Sequence, residues 1–198
     1  MLSIPRLIIA LVFFSIISIL DFKTDILKIK GKSKYNKFTV FFIGLVVLSS
    51  IVYIEDFITY NYIDDFLKKD TPSTQLCEQQ SAYDALLAGV SEEIVFRYII
   101  FNLICLQYFK LGITKSIIIS SLLFGLIHIN QYLSFGVNIY NTLLVILQAI
   151  PAGTIFAYVY TQTNLTTAIL LHITVDLIDF LLLRCNKNIY KNILFIHE

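Results

Sequence analysis

Long apolar runs, separated by short polar stretches, divide the chain. A helix that crosses a bilayer needs about 20 mostly apolar residues. Six segments approach that length: 4–20, 38–54, 83–109, 111–129, 143–160 and 165–183. The sequence therefore predicts an all-α fold, a polytopic membrane helix bundle of about six transmembrane helices.

The order of these segments predicts three parts. Residues 1–82 would hold two transmembrane helices and a polar loop, residues 83–185 a four-helix core, and residues 186–198 a polar tail. The first segment resembles the core of a signal peptide in length. No small-residue cleavage site follows it, which favours an uncleaved span and leaves a cleaved signal as the alternative.

The composition agrees with a membrane location. Apolar residues make up 57% of the 198 residues, charged residues only 15%, and the mean hydropathy is +0.77. Soluble domains are about 45–50% apolar and about 25% charged, and a small domain cannot bury such an excess. We expect a multi-pass protein in contact with membrane lipid. Its many Ile, Lys and Asn residues suit an AT-rich bacterial genome, so the membrane we expect is a bacterial plasma membrane. The net charge of +1 predicts no nucleic-acid partner.

The charges between the segments leave the orientation open. Residues 21–37 hold six lysines, and an excess of lysine marks the cytoplasmic side. Six spans would then put the C-terminal tail outside. That tail also carries basic residues, which favour the inside.

The third segment contains charges that are expensive within a membrane. A charge at the centre of a spanning helix costs about 2.5–3.5 kcal/mol, so such residues are functional candidates. Glu93 and Arg97 are four residues apart with the acid first, the favourable order for an ion pair on one helix. Glu92 lies about 100° around the helix axis from Glu93, and no basic residue stands four positions after it. It is therefore a candidate general base; the alternative is a solvated helix end.

The fourth segment ends with Phe124 and His128, four residues apart on one face. Gly125 predicts the close approach of a neighbouring helix. Adjacent spans are antiparallel, so Glu92, early in its helix, and His128, late in its own, should lie on the same side of the bilayer. The alternative role for His128 is a structural hydrogen bond.

The sixth segment repeats this spacing with His172 and Asp176. A carboxylate beside an imidazole can fix its tautomer for proton transfer or for metal binding. A hydrogen-bonded pair that only joins helices is the alternative. Three polar clusters on three apolar segments favour a shared functional site.

In chain order, these residues resemble the CPBP family of intramembrane proteases, also called the ABI family. It includes CAAX prenyl endopeptidases and bacteriocin-immunity members. The family pattern is EExxxR, then FxxxH, then HxxxN or HxxxD. This sequence supplies Glu92-Glu93-xxx-Arg97, Phe124-xxx-His128 and His172-xxx-Asp176.

The resemblance implies a catalytic site of six residues: Glu92, Glu93, Arg97, His128, His172 and Asp176. Glu92 would be the base that activates water, with His128 beside it. Glu93 and Arg97 would form the supporting ion pair, and His172 and Asp176 would complete the site.

Whether the site uses a metal stays open at this point. A zinc ion would need Glu92, His128 and His172 from three helices, and the fourth position would hold water. The alternative is a metal-free glutamate protease. Asp176, when ionised, only accepts hydrogen bonds. It therefore suits orienting His172 or ligating a metal better than stabilising an oxyanion.

The function predicted from this resemblance is an endopeptidase that hydrolyses membrane-associated peptides or proteins, in bacteriocin self-immunity or peptide processing. A non-catalytic membrane immunity or binding protein is the alternative. An ion-coupled transporter is less favoured, because such proteins commonly contain internal repeats and paired broken helices, and the sequence has neither.

Overall fold

The computed structural model describes residues 35–62, 82–134 and 139–179, together with Val12, Ser15, Ile16 and Ile19. Within the three ranges lie five α-helices and one π-helix. The α-helices are α1 Lys37–Tyr62, α2 Ala82–Glu93, α3 Ile113–Ser134, α4 Ile139–Gln162 and α5 Leu165–Leu177. The π-helix Ile94–Tyr108 continues α2 without a break. These ranges contain no strand, so the all-α prediction is confirmed for them.

The number of membrane spans is not confirmed by these helices. Five of the six predicted segments coincide with helices. The segment 38–54 lies within α1, 83–109 covers α2 and the π-helix, and the last three correspond to α3, α4 and α5. The segment 4–20 falls mostly outside the described residues. Among the residues described, one helix is long and apolar enough to cross a membrane, over Lys37–Ile54, with a mean hydropathy of 2.1. Ile113–Ile129 and Leu165–Leu177 are shorter apolar helices. Six spans, the three-part division and the orientation stay predictions.

The π-helix differs from the ordinary helix expected over residues 83–109. Its buried residues recur every four or five positions: Phe96, Arg97, Phe101, Asn102 and Cys105. In an α-helix, Asn102 would lie about 140° around the axis from Arg97. Hydrogen bonds from i to i+5 bring residues five apart to nearly the same face. The π register therefore turns Asn102 inward, where it is 5% exposed.

The helices pack so that α2 lies against α5, the π-helix against α3, and α3 along α4, while α1 contacts α4 and α5. Two buried apolar clusters hold these contacts. One joins residues of α2, the π-helix, α4 and α5, including Val90, Phe101, Tyr160 and Ile169. The other joins α1, the π-helix, α3, α4 and α5, including Leu48, Phe96, Phe124, Phe156 and Leu171.

Two glycines allow helices to touch near the polar residues. A Cβ on Gly89 would lie 2.6 Å from Ile173 Cγ1 and 3.1 Å from its backbone nitrogen, so α2 meets α5 where only hydrogen fits. A Cβ on Gly125 would lie 2.6 Å from Ile150 Cγ1 and 3.0 Å from the Ile146 carbonyl oxygen. The close approach predicted at Gly125 is confirmed, and the neighbour is α4.

The start of α5 is fixed by Asn164. Its side-chain oxygen accepts hydrogen bonds from Thr167 N, at 3.0 Å, and from Thr167 Oγ1, at 2.6 Å. Asparagine is a favoured N-cap because it satisfies a free amide of the first turn. This cap begins the helix two turns before His172 and sets the register that points the imidazole inward, where it is buried.

Candidate active site

Glu93 lies at the centre of the polar cluster, at the point where α2 becomes the π-helix. Its side chain is fully buried. One carboxylate oxygen accepts a hydrogen bond from Arg97 Nε at 3.0 Å, and the other lies 3.0 Å from His172 Nδ1. The predicted Glu93–Arg97 ion pair is thus confirmed. The carboxylate also links α2 to α5, which spacing within one segment could not predict.

Arg97 is held on several sides although no part of it is exposed. Besides its bond to Glu93, its Nη1 donates to Ser120 Oγ on α3 at 3.1 Å. The guanidinium carbon lies 5.0 Å from the centre of the Phe124 ring and 5.9 Å from that of Phe156. Within about 6 Å a cation is attracted to an aromatic face. These contacts stabilise the buried positive charge of Arg97, which is not solvated by water.

His172 presents its two ring nitrogens to different groups. Nδ1 donates to the buried carboxylate of Glu93, since an ionised carboxylate can only accept. Nε2 lies 3.9 Å from Glu92 Oε2 and 3.7 Å from Asp176 Oδ2. Both distances exceed a direct hydrogen bond and leave a bridging water as the natural link. The arrangement points one imidazole nitrogen at two carboxylates.

Exposure separates the carboxylates into two kinds. Glu93 is fully buried, whereas the Glu92 side chain is 27% exposed and that of Asp176 is 21% exposed. Glu92 and Asp176 therefore form a partly exposed rim, and Glu93 and Arg97 lie behind it. The roles that the resemblance implies, with Glu92 as the reacting carboxylate and the ion pair as its support, stay predictions.

Two phenylalanines surround the imidazole. The ring of Phe156, on α4, stacks on His172 with centroids 4.3 Å apart and planes 13° apart. Phe124, on α3, meets His172 edge-on at 5.9 Å and His128 at 5.2 Å. The phenylalanine of the FxxxH motif is thus in contact with both histidines.

His128 joins the cluster less directly than expected. Its Nδ1 lies 2.8 Å from the backbone oxygen of Phe124, to which it donates, so Nε2 is the nitrogen left to act. In the described part of the chain, its recorded contacts are with Phe124 and not with Glu92 or His172. The structure therefore assembles five of the six predicted residues and connects the sixth through an aromatic ring.

The predicted zinc ligands do not form a metal site as they are placed. Across the described ranges, no group of three or more His, Cys, Asp or Glu side chains lies close enough to hold a metal ion. The set of Glu92, His128 and His172 thus does not fit a zinc ion in this arrangement.

Sequence reasoning missed Ser120 and Phe156. A signal for Ser120 was present, because Ser120, Phe124 and His128 are spaced by four along α3 and share one face. The fivefold spacing of the polar residues Arg97, Asn102 and Gln107 likewise indicates a π register. Phe156 has no such signal, since no pattern within α4 relates it to a histidine on α5.

The site is therefore a buried acid–base cluster with two partly exposed carboxylates, built on apolar helices. Residues 79–178 match the model of the type II CAAX prenyl endopeptidase Rce1-like family, which is half of the chain, and the protein belongs to this family. The resemblance predicted from the three motifs is confirmed. Members of the family are membrane proteins and intramembrane proteases. Searches of the curated proteins and of the solved structures each returned no match.

Proposed function

We propose that this protein is an intramembrane endopeptidase in which Glu92 activates the attacking water. The observation that carries the proposal is the placement of Glu92 Oε2 3.9 Å from His172 Nε2, on a carboxylate that keeps 27% of its side chain exposed. A base must reach its proton directly or through one water. A water between these two atoms would be within reach of both.

In the proposed hydrolysis, Glu92 acts first as a base and then as an acid. Glu92 takes a proton from water, and the hydroxide oxygen bonds to the carbon of the peptide carbonyl. The carbon–nitrogen bond then breaks, and the amine leaves with the proton held by Glu92. His172 orients the water through Nε2, because its Nδ1 is engaged by Glu93.

The buried ion pair has a supporting role in this proposal. Glu93 fixes the tautomer of His172, and Arg97 balances the buried charge of Glu93. Asp176 lies 3.7 Å from His172 Nε2 and accepts hydrogen bonds only when ionised. It serves to orient the imidazole and the water, as the sequence predicted, and not to stabilise an oxyanion.

We further propose that the substrates are membrane-associated peptides and that the protein is a multi-pass protein of a bacterial plasma membrane, acting in bacteriocin self-immunity. The family, the apolar helix Lys37–Ile54 and the composition support this setting. Deletion of the gene should increase sensitivity to bacteriocins that the same cells produce. Unchanged sensitivity would remove the immunity role and leave peptide processing.

The test of the activity is Glu92→Gln, which keeps the shape of the side chain and removes its basicity. Purified protein in lipid nanodiscs is given fluorogenic membrane-anchored peptides. The variant should lose about 100-fold or more of the cleavage rate, because general-base catalysis contributes about 10²–10⁴-fold.

The matched control is Asp84→Asn, which removes the same charge from a half-buried position on α2, about 12 Å along the helix. It should cleave at nearly the wild-type rate. Equal rates for wild type and Glu92→Gln would refute the proposed base. Immunity that persists in both Glu92→Gln and His128→Ala would favour the non-catalytic binding protein instead.

A further inference from the structure

The face of His172 is covered by Phe156, a residue outside all three sequence motifs. The two ring centres are 4.3 Å apart and the planes are within 13° of parallel. Both side chains are buried, with Phe156 2% and His172 4% exposed. The ring of Phe124 meets the same imidazole at 64°, so His172 is covered on one face and touched edge-on.

A simpler explanation is that Phe156 only fills the core. Other aromatic pairs in the core meet edge-on, at 80° for Phe96–Phe124 and 74° for Phe101–Tyr160. Filling space thus does not by itself produce a parallel pair. Of the two histidines among the described residues, the stack is formed on His172, whose two nitrogens both lie near carboxylates.

The hydrogen bond to Glu93 cannot fix the imidazole by itself. It holds one atom, Nδ1, and the second side-chain torsion of histidine is broad. The ring can still tilt about that atom, which would carry Nε2 away from Glu92 and Asp176. A flat side chain stacked on the face of the ring opposes this tilt.

We propose that Phe156 is a positioning residue that fixes the plane of the His172 imidazole, so that Nε2 stays directed at Glu92 and Asp176. Its effect on catalysis rests on the proposed function, whereas its effect on the imidazole does not. Phe156 on α4 thus sets the geometry of a group on α5 that acts on a water held at α2.

The catalytic test compares Phe156→Leu with Phe156→Tyr, which keeps an aromatic ring. Partners that orient a metal-ligating histidine contribute about 10–100-fold to activity, and we expect an effect of the same order for a group that orients His172. We expect kcat to fall about tenfold or more in Phe156→Leu with KM nearly unchanged, and most of the loss to be restored in Phe156→Tyr. The control is Phe101→Leu, a fully buried ring in the other cluster, which should leave kcat unchanged.

A second readout does not depend on activity. The chain has three histidines, so labelling them with ¹⁵N gives three assignable imidazoles by NMR. His172 should show one set of ring signals, with a proton on Nδ1, in the wild type and in Phe101→Leu. In Phe156→Leu, its ring signals should shift and broaden.

These outcomes separate the two proposals. If the wild type cleaves no peptide, the proposed function fails, and the NMR comparison still decides the role of Phe156. If Phe156→Leu does not fold, Phe156→Met, whose flexible unbranched side chain adapts to gaps in a core and cannot stack, replaces it. Wild-type His172 signals in the folded variant would overturn the inference.

Discussion

The ion pair between Glu93 and Arg97 gives the sharpest prediction for stability. Both side chains are fully buried and their charged atoms are 3.0 Å apart. Removing one partner of a buried pair typically costs about 3–5 kcal/mol, because the other charge is left in a medium of low polarity. Arg97→Met keeps an unbranched side chain and removes the charge. We expect it to lower the free energy of unfolding by about 3 kcal/mol or more.

The double variant tests the reason for that loss. Glu93→Gln combined with Arg97→Met leaves no buried charge at the pair, and the glutamine oxygen can still accept from His172. Replacing a whole buried pair by neutral groups is often nearly neutral. The double variant should therefore be more stable than Arg97→Met alone, although it has one more substitution.

The assay is reversible unfolding in mixed detergent, driven by SDS and followed by circular dichroism. The control is Lys115→Met, which removes an exposed cation and should change stability by less than about 0.5 kcal/mol. If Arg97→Met costs less than about 1 kcal/mol, or if the double variant is the less stable of the two, the buried pair does not act as described.

Two further substitutions can be measured by the same unfolding assay. Gly89→Ala places a methyl group 2.6 Å from a side chain of α5, and overpacking of this kind should lower the free energy of unfolding by about 1–3 kcal/mol. The control is Gly112→Ala, where an added Cβ would have no neighbour within 4 Å and should cost much less. Equal losses of stability in the two variants would contradict the close approach of α2 and α5. Ser120→Ala removes the acceptor of Arg97 Nη1, and an unpaired buried donor should cost about 1–3 kcal/mol. The exposed Ser91→Ala is its control, and equal effects would refute the contact.

Periodicity within one segment predicted the local part of the site. Residues four apart share a helix face, so the pairing of Glu93 with Arg97 and of His172 with Asp176 could be inferred from spacing. Both pairs are present, the first as a hydrogen bond and the second as a 3.7 Å approach. The helical fold followed equally from apolar segment lengths, since apolar segments of this length are most readily accommodated as helices.

Contacts between helices could not be predicted in this way. Glu93 and His172 are 79 residues apart, and their bond depends on α2 and α5 meeting at Gly89. Phe156 reaches His172 because α4 packs against α5. Such contacts depend on how whole helix faces fit together, and no pattern within one segment records that fit.

The predicted zinc ligands do not come together among the described residues. Glu92 and His128 are predicted to lie on the same side of the bilayer, but a shared depth does not make side chains converge. His128 packs on Phe124, and the same ring meets His172. One aromatic side chain therefore contacts both imidazoles.

The bond between Glu93 and His172 is the contact on which the whole site depends, and it can be observed directly. In protein labelled with [¹⁵N]histidine, the Nδ1 proton of His172 should carry the NMR signature of a hydrogen bond to a carboxylate. Glu93→Gln should change the ring signals of His172. His172 signals that are identical in wild type and Glu93→Gln would mean that α2 and α5 do not bring these groups together, and the proposed site would be wrong.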